Sequence, residues 1–316
     1  MYCINLDSDD PFFNLAVEEV LLKNRTEDFL ILGINSPSII IGKHQSAHRE
    51  SDTRFAEMNF IPVIRRISGG GTVFHDSGNL NFTFIAQSVP GRQIDFRKYT
   101  LPVIDYLDTL GIEARFEGKN DLKVEGLKIS GNAEHVFRNR VLHHGTLLFR
   151  SSLETLRNAI RRDTLHYSTR AVASNPSSVM NLCDKIKMFD DISEFRSGMM
   201  DYFLATIPGA ISYELALSDK ESALELARSK YRTWEWNYAY GPEYRFNNSF
   251  MFHDIQYSVN MFVKDGIIAE CEIKGSGILQ TIASKLTGCR HMAADMMKVI
   301  YDEGITISDE EIYMFF

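Results

Sequence analysis

The stretch Arg65-Arg66-Ile67-Ser68-Gly69-Gly70-Gly71-Thr72-Val73-Phe74-His75-Asp76 carries the residue types an anion-binding loop needs. Glycine takes positive φ and lets a ligand come close to backbone N–H groups. Arginine offers bidentate donors to phosphate or carboxylate. A hairpin turn with its arginines in solvent accounts for the stretch as well, although a two-residue Asn-Gly or Asp-Gly turn would serve that purpose. Further along stand Asn120-Asp121, then Lys128 followed by Ser130-Gly131. Activation of a carboxylate by ATP brings two anions together, and a lysine beside glycine-exposed N–H groups can neutralise both. A solvated strand lysine is the plainer alternative. Asp121 could hold Mg2+ on phosphates, orient Lys128, or close a turn on its own backbone. His143 and His144 alternate across a strand, so at most one faces a site, and histidines satisfied within a sheet are the commoner outcome.

Several chemistries are excluded by absence. There is no G-x-x-x-x-G-K-[ST] motif, and neither Gly69-Gly70-Gly71 nor Gly275-Ser276-Gly277 has the later glycine of a dinucleotide fingerprint. No H-E-x-x-H or G-x-S-x-G occurs, and no cysteine lies near a glycine motif. A net charge of −8 over 316 residues argues against nucleic acid as the main partner. No run approaches the ~18 apolar residues of a membrane span. The first residues lack a basic-then-apolar secretion signal. Cys3, Cys183, Cys271 and Cys289 are scattered, which fits reduced thiols in a cytoplasmic protein better than disulfides or a zinc site.

The elements that must position these residues follow from periodicity. Asp10-Pro11 opens a helix whose Phe13, Val17, Val20 and Leu21 share a face. Residues 29–34 and 38–42 are buried strands around the turn Asn35-Ser36-Pro37, and Lys43-His44-Gln45 beyond them could form a ligand rim or a solvated loop. Pro62-Val63-Ile64 leads into the glycine loop. The alternation from Asn79 to Ile85 predicts a half-buried strand leaving it. A helix with Pro102 in its first turn packs Val103, Ile104 and Leu107 inward and stops at Gly111. Three strand-like segments interrupted by Gly and small polar residues, ending at Phe149, suggest a sheet with a ligand lying across it. Helical patterns follow at 153–160, 192–206 and 221–231. The aromatic stretch from Trp234 to Pro242 marks a boundary, with a small α+β unit from about residue 246.

Taken in order, Asp10-Pro11-x-x-Asn14-Leu15-Ala16-x-Glu18-Glu19, the glycine loop through Asp76, Asn120-Asp121-Leu122, Lys128-Ile129-Ser130-Gly131-Asn132-Ala133 and His143-His144-Gly145-Thr146-Leu147-Leu148 resemble the lipoate–protein ligases of the biotinyl/lipoyl ligase superfamily. The Trp234-Glu235-Trp236-Asn237 stretch and the helices around Gly288-Cys289 look like that family's accessory domain, so the resemblance covers nearly the whole chain. It implies an α+β fold, with a biotinyl/lipoyl-ligase-like mixed sheet flanked by helices. It also implies a catalytic domain over 1–233, a linker over 234–245 and an α+β accessory domain over 246–316. By the same resemblance, ATP and Mg2+ activate lipoic acid to lipoyl-AMP. The lipoyl group then passes to a lysine of a carrier domain, either the glycine-cleavage H protein or an acyltransferase subunit of a 2-oxo-acid dehydrogenase. Lys128 would be the catalytic lysine on the lipoate carboxylate and phosphate. Arg66, Ser68, Gly69, Gly70, Gly71, Thr72, Val73, Phe74, Asn79, Asn120, Asp121, Ser130, Gly131 and Ala133 would bind ATP and the adenylate. His75 and His144 would stand at the substrate rim, and Asp121 at Mg2+. Lys119 and Thr72 depart mildly from the pattern, where Arg and Ala are usual. No base for the acceptor lysine is evident. An ATP-independent lipoyl or octanoyl transferase and a non-catalytic lipoate or lipoyl-domain binding protein are the alternatives. A hinge around Gly241-Pro242 would let the accessory domain cover and uncover the adenylate.

Overall fold

Asp10 caps the first helix by accepting the Phe12 N–H, with Pro11 where a missing donor costs nothing. In the computed structural model, which describes residues 1–88, 94–161 and 164–316, the chain opens with β1 (Tyr2–Asn5), α1 (Pro11–Asn24), β2 (Phe29–Ile34) and β3 (Ser38–Ile41). Next come α2 (Ala47–Glu50), α3 (Thr53–Met58), β4 (Val63–Arg65), β5 (Val73–His75) and β6 (Asn79–Gln87). Then follow α4 (Phe96–Thr109), β7 (Arg115–Glu117), β8 (Asp121–Val124), β9 (Leu127–Phe137), β10 (Arg140–Leu148) and α5 (Leu153–Ala159). The later part holds β11 (Tyr167–Thr169), α6 (Ile192–Thr206), β12 (Ile211–Ser212), α7 (Leu217–Leu226), β13 (Tyr244–Phe252), β14 (Ile255–Lys264), β15 (Ile267–Lys274), α8 (Ala283–Leu286) and α9 (Ala293–Asp302).

Among the described residues the main sheet is mixed and eight-stranded, in the order β12-β1-β2-β6-β10-β9-β8-β7. Its pairs are antiparallel except β12-β1 and β1-β2. On one face Leu32, Phe82 and Phe84 pack with Val103 and Leu107 of α4 and Phe195 and Phe203 of α6. On the other, Ile31, Ile85 and Leu142 pack with Leu15, Val17 and Leu21 of α1 and Ala223 of α7. A small β4-β3-β5 sheet carries the glycine loop between β4 and β5. No helix among the described residues is long and apolar enough to cross a membrane.

Two expectations need correction. β6 is not half exposed: both of its faces are covered, and Thr83 on the polar side is only 2% exposed, because α1 lies over that side. Pro102 is not in a first turn, since α4 begins at Phe96 with Asp95 as its cap. The proline therefore sits inside the helix, where it cannot donate to the preceding turn.

Residues from Tyr244 onward bury a core of their own around Phe246, Met261, Leu279, Met296 and Phe315. That core also takes in Tyr167, because β11 pairs with β13. The stretch before it is firmly held. Arg65, fully buried, donates to Trp236 O, Asn237 O, Gly42 O, Lys43 O and Gln45 O at 2.6–3.1 Å.

Candidate active site

Register alone builds the floor of the site. Ile31, Thr83, His144 and Ala133 face one another across β2, β6, β10 and β9. One pair further along, Gly33, Asn81, Thr146 and Gly131 form a second row, and Asp121 of β8 extends it opposite Gly131. Every one of these residues lines a single cavity of about 430 Å³, a volume suited to a small-molecule ligand. At ~4.8 Å per strand interval, the floor runs about 14 Å from β2 to β9.

The two ends differ in chemistry. Around β2 the walls are Leu6, Leu15, Ile31 and Ile40, members or neighbours of one apolar cluster. Around β9 and β8 they are Lys119, Asn120, Asp121, Lys128, Gly131 and Ala133. Lys128 Nζ lies 2.8 Å from Asp121 Oδ1 and folds over Gly131, where a Cβ would stand 3.1 Å from it. Glycine there makes room for the lysine. Asn120 Nδ2 donates to Asn132 O at 2.6 Å, closing the β8 end onto β9. An apolar channel ending at a cation suits an amphiphilic carboxylate.

The glycine loop forms the roof. Gly70 takes φ +86°, and a Cβ on Gly42 would stand 2.2 Å from Gly70 O, so the residue after β3 is a glycine that lets the loop settle. Arg66 holds the loop from inside. Its Nε donates to Ser68 Oγ at 2.9 Å, Nη1 to Ile40 O at 3.1 Å, and Nη2 to Gly69 O and Gly71 O at 2.6 and 2.7 Å. Burial lowers the Arg66 pKa to about 10, which leaves it charged at neutral pH. Burial lowers that of His75 to about 3, so the ring is neutral, with Nδ1 accepting from Asn35 Nδ2 at 2.9 Å.

A strap crosses the opening. Val172, Ala173, Ser174 and Asn175 line the cavity. Ser174 Oγ accepts the Thr72 N–H at 2.9 Å and donates to Glu50 Oε2 at 2.5 Å. Gln45 joins the same knot, accepting from Gly42 N and Thr72 Oγ. At its far end the strap joins Lys128, whose N–H donates to Ser178 O and whose carbonyl accepts the Met180 N–H.

Of the residues singled out from sequence, Arg66, Gly69, Gly70, Gly71, Thr72, Val73, His75, Asn120, Asp121, Lys128, Gly131, Ala133 and His144 line this cavity. Ser68, Phe74, Asn79 and Ser130 do not. Ser68 is buried between Arg66 and His144, and Phe74 packs into the β3-β4 core. Asn79 bonds Asn81, and Ser130 accepts from Asn132. Sequence reasoning missed Asn14, Asn35, Asn81, Thr83, Thr146 and the strap as cavity residues. For the β6 pair the polar half of the alternation was the available signal, read as a solvent face. The strap has no periodicity to give it away.

Residues 10–204 match the model of the lipoyl protein ligase A/B catalytic domain. The chain is 34% identical over 315 residues to the lipoate-protein ligase LplJ of Bacillus subtilis, covering 97% of this chain and 95% of that protein. The Thermoplasma acidophilum lipoate protein ligase Ta0514, solved with bound lipoic acid, superposes with a TM-score of 0.64 at 26% identity, covering 75% of this chain and 98% of that one. A lipoate-protein ligase A solved with ATP gives the same TM-score and identity, covering 75% of this chain and 97% of that one. An apolar channel meeting a lysine, a roof of glycine amides and this likeness along nearly all of its length place the chain in the lipoyl protein ligase family.

Proposed function

We infer that the protein is an ATP-dependent lipoate–protein ligase. It joins lipoate to AMP with release of pyrophosphate, then passes the lipoyl group to a lysine of a lipoyl carrier domain. The observation that carries this reading is one cavity that joins an apolar end to a lysine seated over Gly131, with the glycine loop in the same wall.

The reaction needs two negative groups side by side. The lipoate carboxylate attacks the α-phosphorus of ATP, a C–O–P anhydride forms, and pyrophosphate leaves with the electron pair of the broken P–O bond. Lys128 supplies a mobile cation at the carboxylate end, and amides of the glycine roof supply fixed dipoles for the phosphate. The chain of lipoate would lie along Leu6, Leu15, Ile31 and Ile40. Arg66 lines the cavity, but its donors serve the loop's own carbonyls, so we assign it to the roof's geometry rather than to direct anion binding.

Mg2+ fits as an ion carried by ATP. Asp121 Oδ1 meets Lys128, while among the described residues no hydrogen bond occupies Oδ2; Glu18 and Glu134 have both carboxylate oxygens engaged. Among the described residues no cluster of three or more His, Cys, Asp or Glu could hold a metal alone, which suits an ion bound largely by phosphates. When bound it would neutralise phosphate charge, with Asp121 as its protein ligand.

We assign residues 1–233 to catalysis, 234–245 to a linker and 246–316 to an accessory domain, supported by the separate core from Tyr244 onward. A hinge, if it opens near Gly241-Pro242, must lie beyond Asn237, which Arg65 ties down. The Thermoplasma ligase has been described together with its E2 lipoyl domain, and we assign acceptors of that kind, or a glycine-cleavage H protein, to this chain. We assign the protein to the cytoplasm, the compartment that supplies ATP and such acceptors. Intact mass of an apo carrier domain after incubation with protein, lipoate, ATP and Mg2+ tests the reading. One lipoyl group per carrier is expected only with ATP present; modification from a thioester donor without ATP would overturn it.

A further inference from the structure

Beneath the glycine roof runs a closed chain of buried polar groups that ligation does not by itself require. Thr83 Oγ donates to Glu18 Oε1 at 2.5 Å, and Glu18 Oε2 lies 2.9 Å from His144 Nδ1. His144 Nε2 lies 2.6 Å from Ser68 Oγ, which also accepts the Arg66 Nε–H at 2.9 Å. With the His144 proton on Nδ1, Glu18 accepts from it, and Ser68, which accepts from Arg66, donates to Nε2.

Carboxylate, imidazole and hydroxyl in that order form the arrangement of a serine hydrolase. Here the hydroxyl has no route to a substrate. Ser68 is 0% exposed, is absent from the cavity wall and has its oxygen engaged by Arg66. The chain leads instead to the roof. Arg66 Nη2 draws Gly69 O and Gly71 O toward itself. In a trans peptide the C=O and N–H point in opposite directions, so fixing those two carbonyls turns the amides of Gly70 and Thr72 away from Arg66. The Thr72 N–H accordingly reaches Ser174 on the strap over the cavity.

We propose that Glu18 and His144 are positioning residues for adenylation: through Ser68 and Arg66 they fix the direction in which the amides of the glycine roof face. Both line the cavity, but the role assigned to them is through Ser68 and Arg66 rather than through the carboxylate or the phosphate. Helix α1 thereby reaches the anion-binding loop through one unbroken line of hydrogen bonds, and the proposal rests on the ligase reading above.

The test compares Glu18→Leu, Glu18→Gln and Ser68→Ala with the wild type in lipoate-dependent exchange of labelled pyrophosphate into ATP, alongside calorimetric titration with lipoate. Glutamine can accept from His144 through Oε1 and donate to Thr83 through its amide, so it preserves the relay; leucine fills the space and breaks it. Expected is a fall in kcat of about tenfold to a hundredfold in Glu18→Leu and Ser68→Ala. Lipoate affinity should stay near wild type in Ser68→Ala, whose side chain is not on the cavity wall, and Glu18→Gln should exchange at close to the wild-type rate. Wild-type kcat in Glu18→Leu and Ser68→Ala overturns the proposal, as does a Glu18→Gln variant as impaired as Glu18→Leu. A joint loss of kcat and lipoate affinity in Ser68→Ala, which removes one oxygen and should still fold, also overturns it. Absence of exchange in the wild type would instead defeat the ligase reading itself.

Discussion

Replacing Lys128 with methionine separates its chemistry from its structural worth. The ammonium is 2.8 Å from Asp121, with the two side chains 22% and 20% exposed. Partly hydrated pairs of this kind contribute about 1 kcal/mol or less. Methionine keeps the stem packed over Gly131, so the melting temperature should move by only a few degrees. The chemical loss should be far larger. Lys128 lines the cavity, and under the role proposed for it, losing one such donor to developing charge costs roughly 3–4 kcal/mol, or about 10²–10³ in rate. Lipoate-dependent pyrophosphate exchange reads that loss directly, with denaturant unfolding on the same sample as the control. An exchange rate within about tenfold of wild type in a folded Lys128→Met protein would refute the role given to the lysine.

Four further outcomes follow from the geometry. Gly42→Ala places a Cβ 2.2 Å from Gly70 O, a backbone atom; it should destabilise by about 1–3 kcal/mol and abolish exchange, as urea unfolding and the exchange assay would show. Ser174→Ala releases the Thr72 N–H and removes three hydrogen bonds from the strap, and initial-rate kinetics should show the KM for ATP rising about tenfold; an unchanged KM would argue that the strap is idle. Arg65→Met strips the donors from five backbone carbonyls in the loop and linker. It should cost about 3–5 kcal/mol in denaturant unfolding. Burial lowers the pKa of His75 to about 3 and that of His291 to about 4, from 6.5. Between those values the unfolded chain binds the extra protons, so stability is full above pH 6.5 and falls below it. The slope is about 1.4 kcal/mol per pH unit for each histidine, or about 4 kcal/mol for the pair by pH 5. Urea midpoints at pH 7.5 and pH 5 that coincide would contradict this.

Much of the frame was legible because it depends on local chemistry. Asp10-Pro11 started α1 as read, and the small polar residues among β8, β9 and β10 did mark neighbouring strands with a cavity on them. The errors share a cause. Alternation along Asn79-Leu80-Asn81-Phe82-Thr83 gives the period of a strand but not what covers each face. A polar face under a helix looks the same in sequence as one in water. Glu18 shows this from the other side: a glutamate on α1 is ordinarily solvated, and only the register that sets Thr83 opposite His144 reveals it as a buried acceptor. The roles of Arg65 and Arg66 were equally hidden. Both are anion donors by type, yet folding surrounds each with backbone carbonyls, up to 172 residues away for Arg65 and up to 26 for Arg66. Strap residues Val172–Asn175 follow no period, and hydrogen bonds to Thr72, Gln45, Glu50 and His44 bring them to the site.

One cavity that holds a carboxylate and a nucleotide together must form a free acyl-adenylate before any carrier arrives. Hydroxylamine trapping measures that directly: the protein is incubated with lipoate, ATP, Mg2+ and hydroxylamine, and lipoyl hydroxamate and AMP are quantified without acceptor. Equal amounts of hydroxamate and AMP, both lost in Lys128→Met, are the predicted result. Hydroxamate that forms only from a lipoyl thioester, with ATP left intact, would contradict the account.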